Sequence, residues 1–210
     1  TEKAFEQGCD GVVVTHGTDT LHISSSAVAF AWCGEGNKAP GRIAFVGSQR
    51  SSDRASSDAA QNLIAAVTWA AQGPIPNGNL SDCVVVAMHR TSDDGACSIH
   101  AATGVRKLHS SRRDAFRPIN TQPLATVTID ESTIEIHLSE HYENNRTQHS
   151  EREISTTASR FNTDLSIRQF MSGPWLLSAE INEAVESKAD ALVLHGTGLG
   201  HVPIENPNED

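Results

Sequence analysis

The chain has 210 residues, 38% of them hydrophobic, and carries 26 Asp and Glu against 16 Lys and Arg for a formal net charge of −10. That is enough apolar material for a sizeable core in one or two domains, and no apolar run approaches the roughly 20 residues of a membrane-spanning helix. The acidic balance argues against this chain gripping a polyanion by itself, because nucleic-acid affinity rests largely on Lys and Arg against phosphates, but it leaves room for a partner that does so.

The opening TEKAFEQGCDG reads as the tail of a helix ending at Gly8. Together with a close on HVPIENPNED just after a strand-like run, it predicts a piece of a longer protein. Val12–Thr15 is β-branched and predicts a strand, and Leu21–Trp32 a helix with Ala27, Val28 and Ala31 on one face. Arg42–Val46 (RIAFV) is a second strand. SSDAAQNLIAAVTWAA follows it as a helix, with Ser56 or Ser57 as N-cap and Asp58 in the first turn. Cys83–Met88 is a third strand. This strand–helix alternation with near-continuous apolar strands predicts an α/β fold, a parallel sheet flanked by helices.

Cys97–Ala101, Leu124–Ile129 and Thr133–Leu138 read as shorter strands, the last two a hairpin around Asp130-Glu131-Ser132. Residues 1–138 are thus assigned to one α/β domain, 139–163 to a polar linker, and 164–210 to the start of a smaller α/β domain. The latter comprises the strand DLSIRQF, a helix capped by Ser178, and ALVLHGTGLG as strand and loop. The four cysteines show no CxxC spacing, and three lie in or beside apolar runs. Reduced buried thiols are expected, and with no basic-then-apolar leader they predict a cytoplasmic protein.

Each of the first three strands is followed by a tip rich in hydroxyls, Asp and Arg: THGTDT, GSQRSSDR and HRTSDD. In a parallel sheet all three tips share the edge where ligands bind. The ordinary role of Thr18 and Asp19 is to cap the following helix. This turn nevertheless holds more hydroxyls than one cap needs, and a threonine hydroxyl is inert at neutral pH without a base, which a partly desolvated lysine can supply.

Other patterns carry less. HxxEH at His137–His141 nominally matches an inverted zinc-protease motif. That motif needs a helix, whereas TIEIHLSEHY alternates like a strand running into a loop, so no metal site is assigned. GTGLG (Gly196–Gly200) lacks dinucleotide-binding spacing and reads as a tight turn. Arg50/Arg54 and Arg112/Arg113 are expected on solvated surface unless a polyanion partner exists. The Asn-x-Ser/Thr triplets at Asn79 and Asn145 carry meaning only in a secreted protein.

VVVTHGTDTLH resembles the second catalytic segment of the bacterial-type L-asparaginase family, amidohydrolases built on a parallel α/β sheet. FVGSQRSSDRASSDAAQNL, VRKLHSSRRDAFRPIN and GTGLGHVP are similar to one branch, the D subunits of archaeal glutamyl-tRNA(Gln) amidotransferases. Free-standing asparaginases typically carry other residues in the GSQRSSDR and SSRRDAF runs. The resemblance covers most of the chain and is weakest across Ser139–Thr163.

The resemblance implies an asparaginase-like fold, truncated at both ends, in which Thr18 is one of two catalytic threonines, Asp19 its neighbouring acid and Lys107 the family lysine. It implies that Gly17 lines the substrate loop through its backbone, and that His201 lies in a loop reaching a neighbouring subunit's site. It further implies release of ammonia from glutamine or asparagine, and a homodimer through the asparaginase-like domains. The partner would be a tRNA-binding E subunit that holds glutamyl-tRNA(Gln) and uses ATP and Mg, with no cofactor in this chain. The family's other threonine sits in a glycine-rich loop upstream of Thr1, so this stretch is expected to hold half of the constellation and to be inactive alone. A free-standing cytoplasmic L-asparaginase is the alternative.

Overall fold

In the computed structural model, residues 1–34, 37–77, 80–146 and 153–202 are described. Asn79, the middle of the expected linker and the closing stretch from 203 onward lie outside them. The chain divides into two compact units, Thr1–Arg160 and Phe161–Asp210.

In the first unit, after a short helix α1 (Glu2–Glu6), the apolar runs become β1 (Gly11–Thr15), β3 (Arg42–Val46) and β4 (Val84–His89). Helices α2 (Leu21–Cys33) and α3 (Ala59–Gln72) connect them, with a two-residue strand β2 (Asn37–Lys38) after α2 and a short helix α4 (Leu80–Cys83) before β4. β1 pairs parallel with β3, and β3 with β4. Successive strand residues point to opposite faces. Ile43, Phe45, Val84 and Val86 therefore pack with Leu21, Ala29 and Trp32 of α2. Ala44, Val46, Val85 and Ala87 pack with Ala65, Ala66 and Trp69 of α3. β4, covered on both faces, is buried along its whole length.

The parallel part ends there. β5 (Ala96–Ala101), β8 (Ala125–Ile129) and β9 (Ile134–Leu138) continue the sheet antiparallel, in the order β1-β3-β4-β5-β8-β9. The expected parallel sheet is thus mixed. The Arg90–Gly95 connection is too short for the crossover of a dozen or more residues that a parallel neighbour demands. Between β5 and β8, a 3-10 turn (Ala102–Gly104) leads into a separate hairpin of β6 (Val105–Lys107) and β7 (Phe116–Pro118). Within the expected linker the structure places a helix, α5 (Glu140–Arg146), and a short strand, β10 (Glu153–Ile154), paired with β2. Tyr142 of α5 is buried and donates to Asp82 Oδ2 at 3.1 Å, an anchor that polar composition conceals.

Cys33, at the end of α2, and Cys83, at the end of α4, form a disulfide, which corrects the expectation of four reduced thiols. They are 50 residues apart and meet only through tertiary packing, so their spacing carries no signal. Cys9 is exposed and free, whereas Cys97 is buried and its thiol pushed up to about 12 by desolvation. Closing a loop of that length is worth about 2–4 kcal/mol. Reduction is therefore expected to lower the melting temperature, and unfolding without reductant should expose two titratable thiols. Four thiols under those conditions would restore the reduced reading.

The second unit pairs β11 (Ile167–Met171) parallel with β12 (Ala191–His195), joined by α6 (Ser178–Glu186). Leu177, not Ser178, occupies the N-cap, and its N–H donates to Glu180 Oε2 at 3.1 Å.

Candidate active site

Because β1, β3 and β4 are parallel, the loops that leave their carboxyl ends meet at one edge of the sheet. His16 N–H donates to Val46 O at 2.8 Å, tying the first loop to the end of β3. Gly47 makes this approach possible, since a Cβ there would lie 2.7 Å from His16 O and 2.9 Å from the Thr18 methyl. The two loops are thus packed backbone against backbone.

Thr18 and Asp19 do not cap α2. Its N-cap is Thr20, without a side-chain cap bond. The lysine of the β6–β7 hairpin takes both groups instead. Lys107 Nζ donates to Thr18 Oγ1 at 2.9 Å and to Asp19 Oδ1 at 2.7 Å, from residues 89 and 88 positions away. The hairpin holds the lysine in place: Lys107 pairs with Phe116, and Val105 and Phe116 are buried. The lysine side chain is 11% exposed and that of Asp19 94%. Hydrogen bonding from Lys107, then its charge, holds the Asp19 carboxyl below its ordinary value. A hydroxyl, an amine and a carboxylate in line can move a proton off the hydroxyl and return it to a leaving group.

Gly17 lines a cavity of about 430 Å³ beside this turn, together with His16, Gly47 and Ser48. Nothing lies within 4 Å of a Cβ built on Gly17, so its backbone faces open space. His201 belongs to the second unit, where its side chain is exposed and its carbonyl accepts from Thr197 N–H and Ser172 Oγ, both at 3.0 Å. Gly196–Gly200 forms a tight turn with Gly200 at φ 79°. The HxxEH residues straddle the end of β9 and the start of α5 rather than sharing one helix.

The structure also brings in residues that local pattern assigns to plain helix structure. Asp58 is the N-cap of α3 and wholly buried. Its carboxylate accepts from the N–H groups of Gln49 and Arg50 at 3.0 Å, from Ser48 Oγ at 3.0 Å and from Asn62 Nδ2 at 2.8 Å. Asn62 Nδ2 also donates to Gly47 O at 3.0 Å, so Asn62 Oδ1 is an acceptor, and His89 Nδ1, 2.6 Å away, carries the proton. Burial, more than the nearby Arg113 charge, pushes the His89 pKa down. This network fixes the turn that walls the cavity. Its sequence signal is the spacing 58, 62, 65 and 69, which places Asp58 and Asn62 on the buried stripe of α3.

No described helix is long and apolar enough to cross a membrane. Residues 1–142 match the family model "Asparaginase, N-terminal". The chain is 39% identical to the D subunit of glutamyl-tRNA(Gln) amidotransferase from Pyrobaculum aerophilum, over 95% of this chain and 43% of that protein. It is 39% identical to the protein of the same name from Methanococcus maripaludis, over 96% of this chain and 44% of that one. The chain thus spans less than half the length of these relatives. Among solved structures, the thermostable L-asparaginase from Thermococcus kodakarensis superposes with a TM-score of 0.67 at 28% identity, covering 97% of this chain and 52% of that one. A probable cytoplasmic L-asparaginase from Campylobacter jejuni superposes at 0.64 and 24% identity, over 97% of this chain and 57% of that one, sharing the fold.

Proposed function

The chain belongs to the asparaginase family, and from that premise we propose that the intact protein is the ammonia-producing subunit of a tRNA-dependent amidotransferase. The observation that carries this reading is Lys107 Nζ held between Thr18 Oγ1 and Asp19 Oδ1, in a chain 38–39% identical to amidotransferase D subunits over most of its length. A threonine hydroxyl attacks the side-chain amide carbon of glutamine or asparagine. Its proton passes to the Lys107 amine, and the tetrahedral intermediate collapses as that proton goes to the departing ammonia. Water then hydrolyses the acyl-threonine, activated through the same Thr18–Lys107–Asp19 relay. Asp19 holds the lysine over the hydroxyl and balances its charge. Gly17 lines the substrate turn, and His201 serves the site of a neighbouring copy in a homodimer.

The ammonia passes to a partner, an E-type subunit that binds tRNA and uses ATP and Mg to convert glutamyl-tRNA(Gln) to glutaminyl-tRNA(Gln). The complex is a carbon–nitrogen ligase of the cytoplasm, and this chain needs no cofactor of its own. A second reading, a free-standing L-asparaginase, draws on the likeness to the Thermococcus kodakarensis enzyme.

Ammonia release from glutamine separates the two. It should rise sharply when the intact protein is joined by its partner and glutamyl-tRNA, relative to the protein alone. Equal release with and without them would leave an ordinary asparaginase.

A further inference from the structure

The basic residues of this acidic chain are not spread evenly. Residues 50–54 and 106–117 carry seven of its 16 Lys and Arg and only two of its 26 Asp and Glu. Most of these cations are committed: Lys107 to Asp19, Arg112 and Arg117 to Asp114, Arg113 to Asp94. Arg50 and Arg54 are not. Among the described residues neither guanidinium has a hydrogen bond or ion pair. Both line a cleft of about 450 Å³ with Gln49, Ser51, Ser56 and Ser111. The hydroxyls of those three serines are likewise without a hydrogen-bond partner among the described residues. Two guanidinium groups and three hydroxyls thus converge on one cleft with no carboxylate in its lining.

The walls are fixed. The Arg50 N–H donates to Asp58 Oδ1 at 3.0 Å, and its carbonyl accepts from Ser57 Oγ at 3.1 Å and from Ser48 Oγ. Gln49 Nε2 donates across to Arg112 O at 3.0 Å and His109 O at 3.3 Å, and His109 Nδ1 accepts the Ser111 and Arg112 N–H groups at 3.1 Å. The backbone carrying Arg50 is therefore set before any ligand arrives, which lowers the ordering cost of binding. Two guanidinium forks and three serine hydroxyls suit the oxygens of a phosphate, which arginine engages bidentately. No aromatic side chain lines the cleft, so it offers no stacking platform for a base and fits a backbone contact that positions without reading sequence.

We propose that the Arg50/Arg54 cleft holds a backbone phosphate of RNA, so that this chain itself touches the tRNA. The proposal rests on the tRNA-dependent reading above and goes beyond its assignment of tRNA binding to the partner. Gly47 and Ser48 wall the cavity at Gly17, the residue before Thr18, and Gln49 and Arg50, next in the chain, wall the cleft. The phosphate is therefore gripped by the same turn that borders the amidase site.

The test uses the intact protein in complex with its partner and a fluorescein-labelled tRNA, titrated by anisotropy across a salt series. Arg50→Gln/Arg54→Gln should weaken binding about tenfold or more and reduce the slope of log K against log salt by about 1, at roughly 0.9 per phosphate contact. Basal ammonia release from glutamine without tRNA should stay unchanged. Unaltered affinity and slope in the variant would overturn the proposal. So would competition by inorganic phosphate at low concentration with no effect of the substitutions on tRNA, which would make the cleft a small-anion site. Loss of partner or homodimer association in the variant, with the tRNA slope intact, would assign the cleft to a protein contact instead. The response of ammonia release to glutamyl-tRNA, read on the same wild-type samples, tests the amidotransferase reading separately.

Discussion

Lys107→Ala in the intact protein is expected to lower ammonia release from glutamine by roughly 10²- to 10⁴-fold, the range for loss of a positioned general acid–base group. The melting temperature should move little. The lysine sits on a hairpin outside the main sheet, and its ion pair ends on a carboxylate that is 94% exposed, so the pair adds little to stability. Thr18→Ala should produce a comparable loss, and the double variant little more than either single one, because a hydroxyl and the amine that serves it act as a unit. Kinetics beside a thermal melt separate this outcome from the bland alternative. If both variants kept full activity and merely melted earlier, Thr18 and Asp19 would be a structural turn and the lysine its strut.

Acid provides a second handle on the same set. Lys107 holds the Asp19 carboxyl below its ordinary value of 3.8. A depressed carboxylate makes its full contribution above that ordinary value and loses it as pH falls through the lowered one. Asp19 thus carries its negative charge throughout the neutral range, where it holds Lys107 by hydrogen bond.

Local pattern is enough for the strand and helix alternation through β4, because each element announces itself within a window of about ten residues. Thr18 and Asp19 are legible for the same reason, standing where a β-branched run ends. Lys107 is not. It comes from 89 residues away on a three-residue strand with no periodicity, and only the likeness of the VRK run to a known family points to it. The antiparallel half of the sheet is hidden because strand runs alone do not state their direction. The short Arg90–Gly95 loop decides it through its reach, while its hydroxyls and carboxylates draw attention to its chemistry. The Cys33–Cys83 bond and the buried Tyr142–Asp82 contact both depend on packing between segments distant in sequence. Helix α5 is too short and too polar to show an apolar stripe.

Asp58 marks the largest gap between what its residue type suggests and what it does. An aspartate in a first turn favours a helix by a few tenths to about 1 kcal/mol through the macrodipole. Here the carboxylate is 0% exposed and accepts from two backbone N–H groups, a serine hydroxyl and the Asn62 amide. Asp58→Ala leaves the Gln49 and Arg50 N–H groups without an acceptor and strips one acceptor each from Ser48 Oγ and Asn62 Nδ2, which keep Arg50 O and Gly47 O. Each buried unsatisfied group costs about 1–3 kcal/mol. Partial relaxation brings the expected loss to about 3–5 kcal/mol, a large share of the 5–15 kcal/mol that holds a typical domain together. Asp58→Asn keeps one acceptor oxygen and should lose about half as much, though its amide must turn a donor toward other donors. The consequence is not confined to stability, because Ser48 lines the cavity at Gly17 while Gln49 and Arg50 line the basic cleft. At a temperature where Asp58→Asn remains folded, KM for glutamine and the tRNA affinity should therefore both deteriorate, while a Lys107→Ala variant loses kcat alone. Urea titration fixes the stability difference and steady-state kinetics the rest. An Asp58→Ala protein within 1 kcal/mol of wild type would mean that the turn holds itself in place without the buried carboxylate.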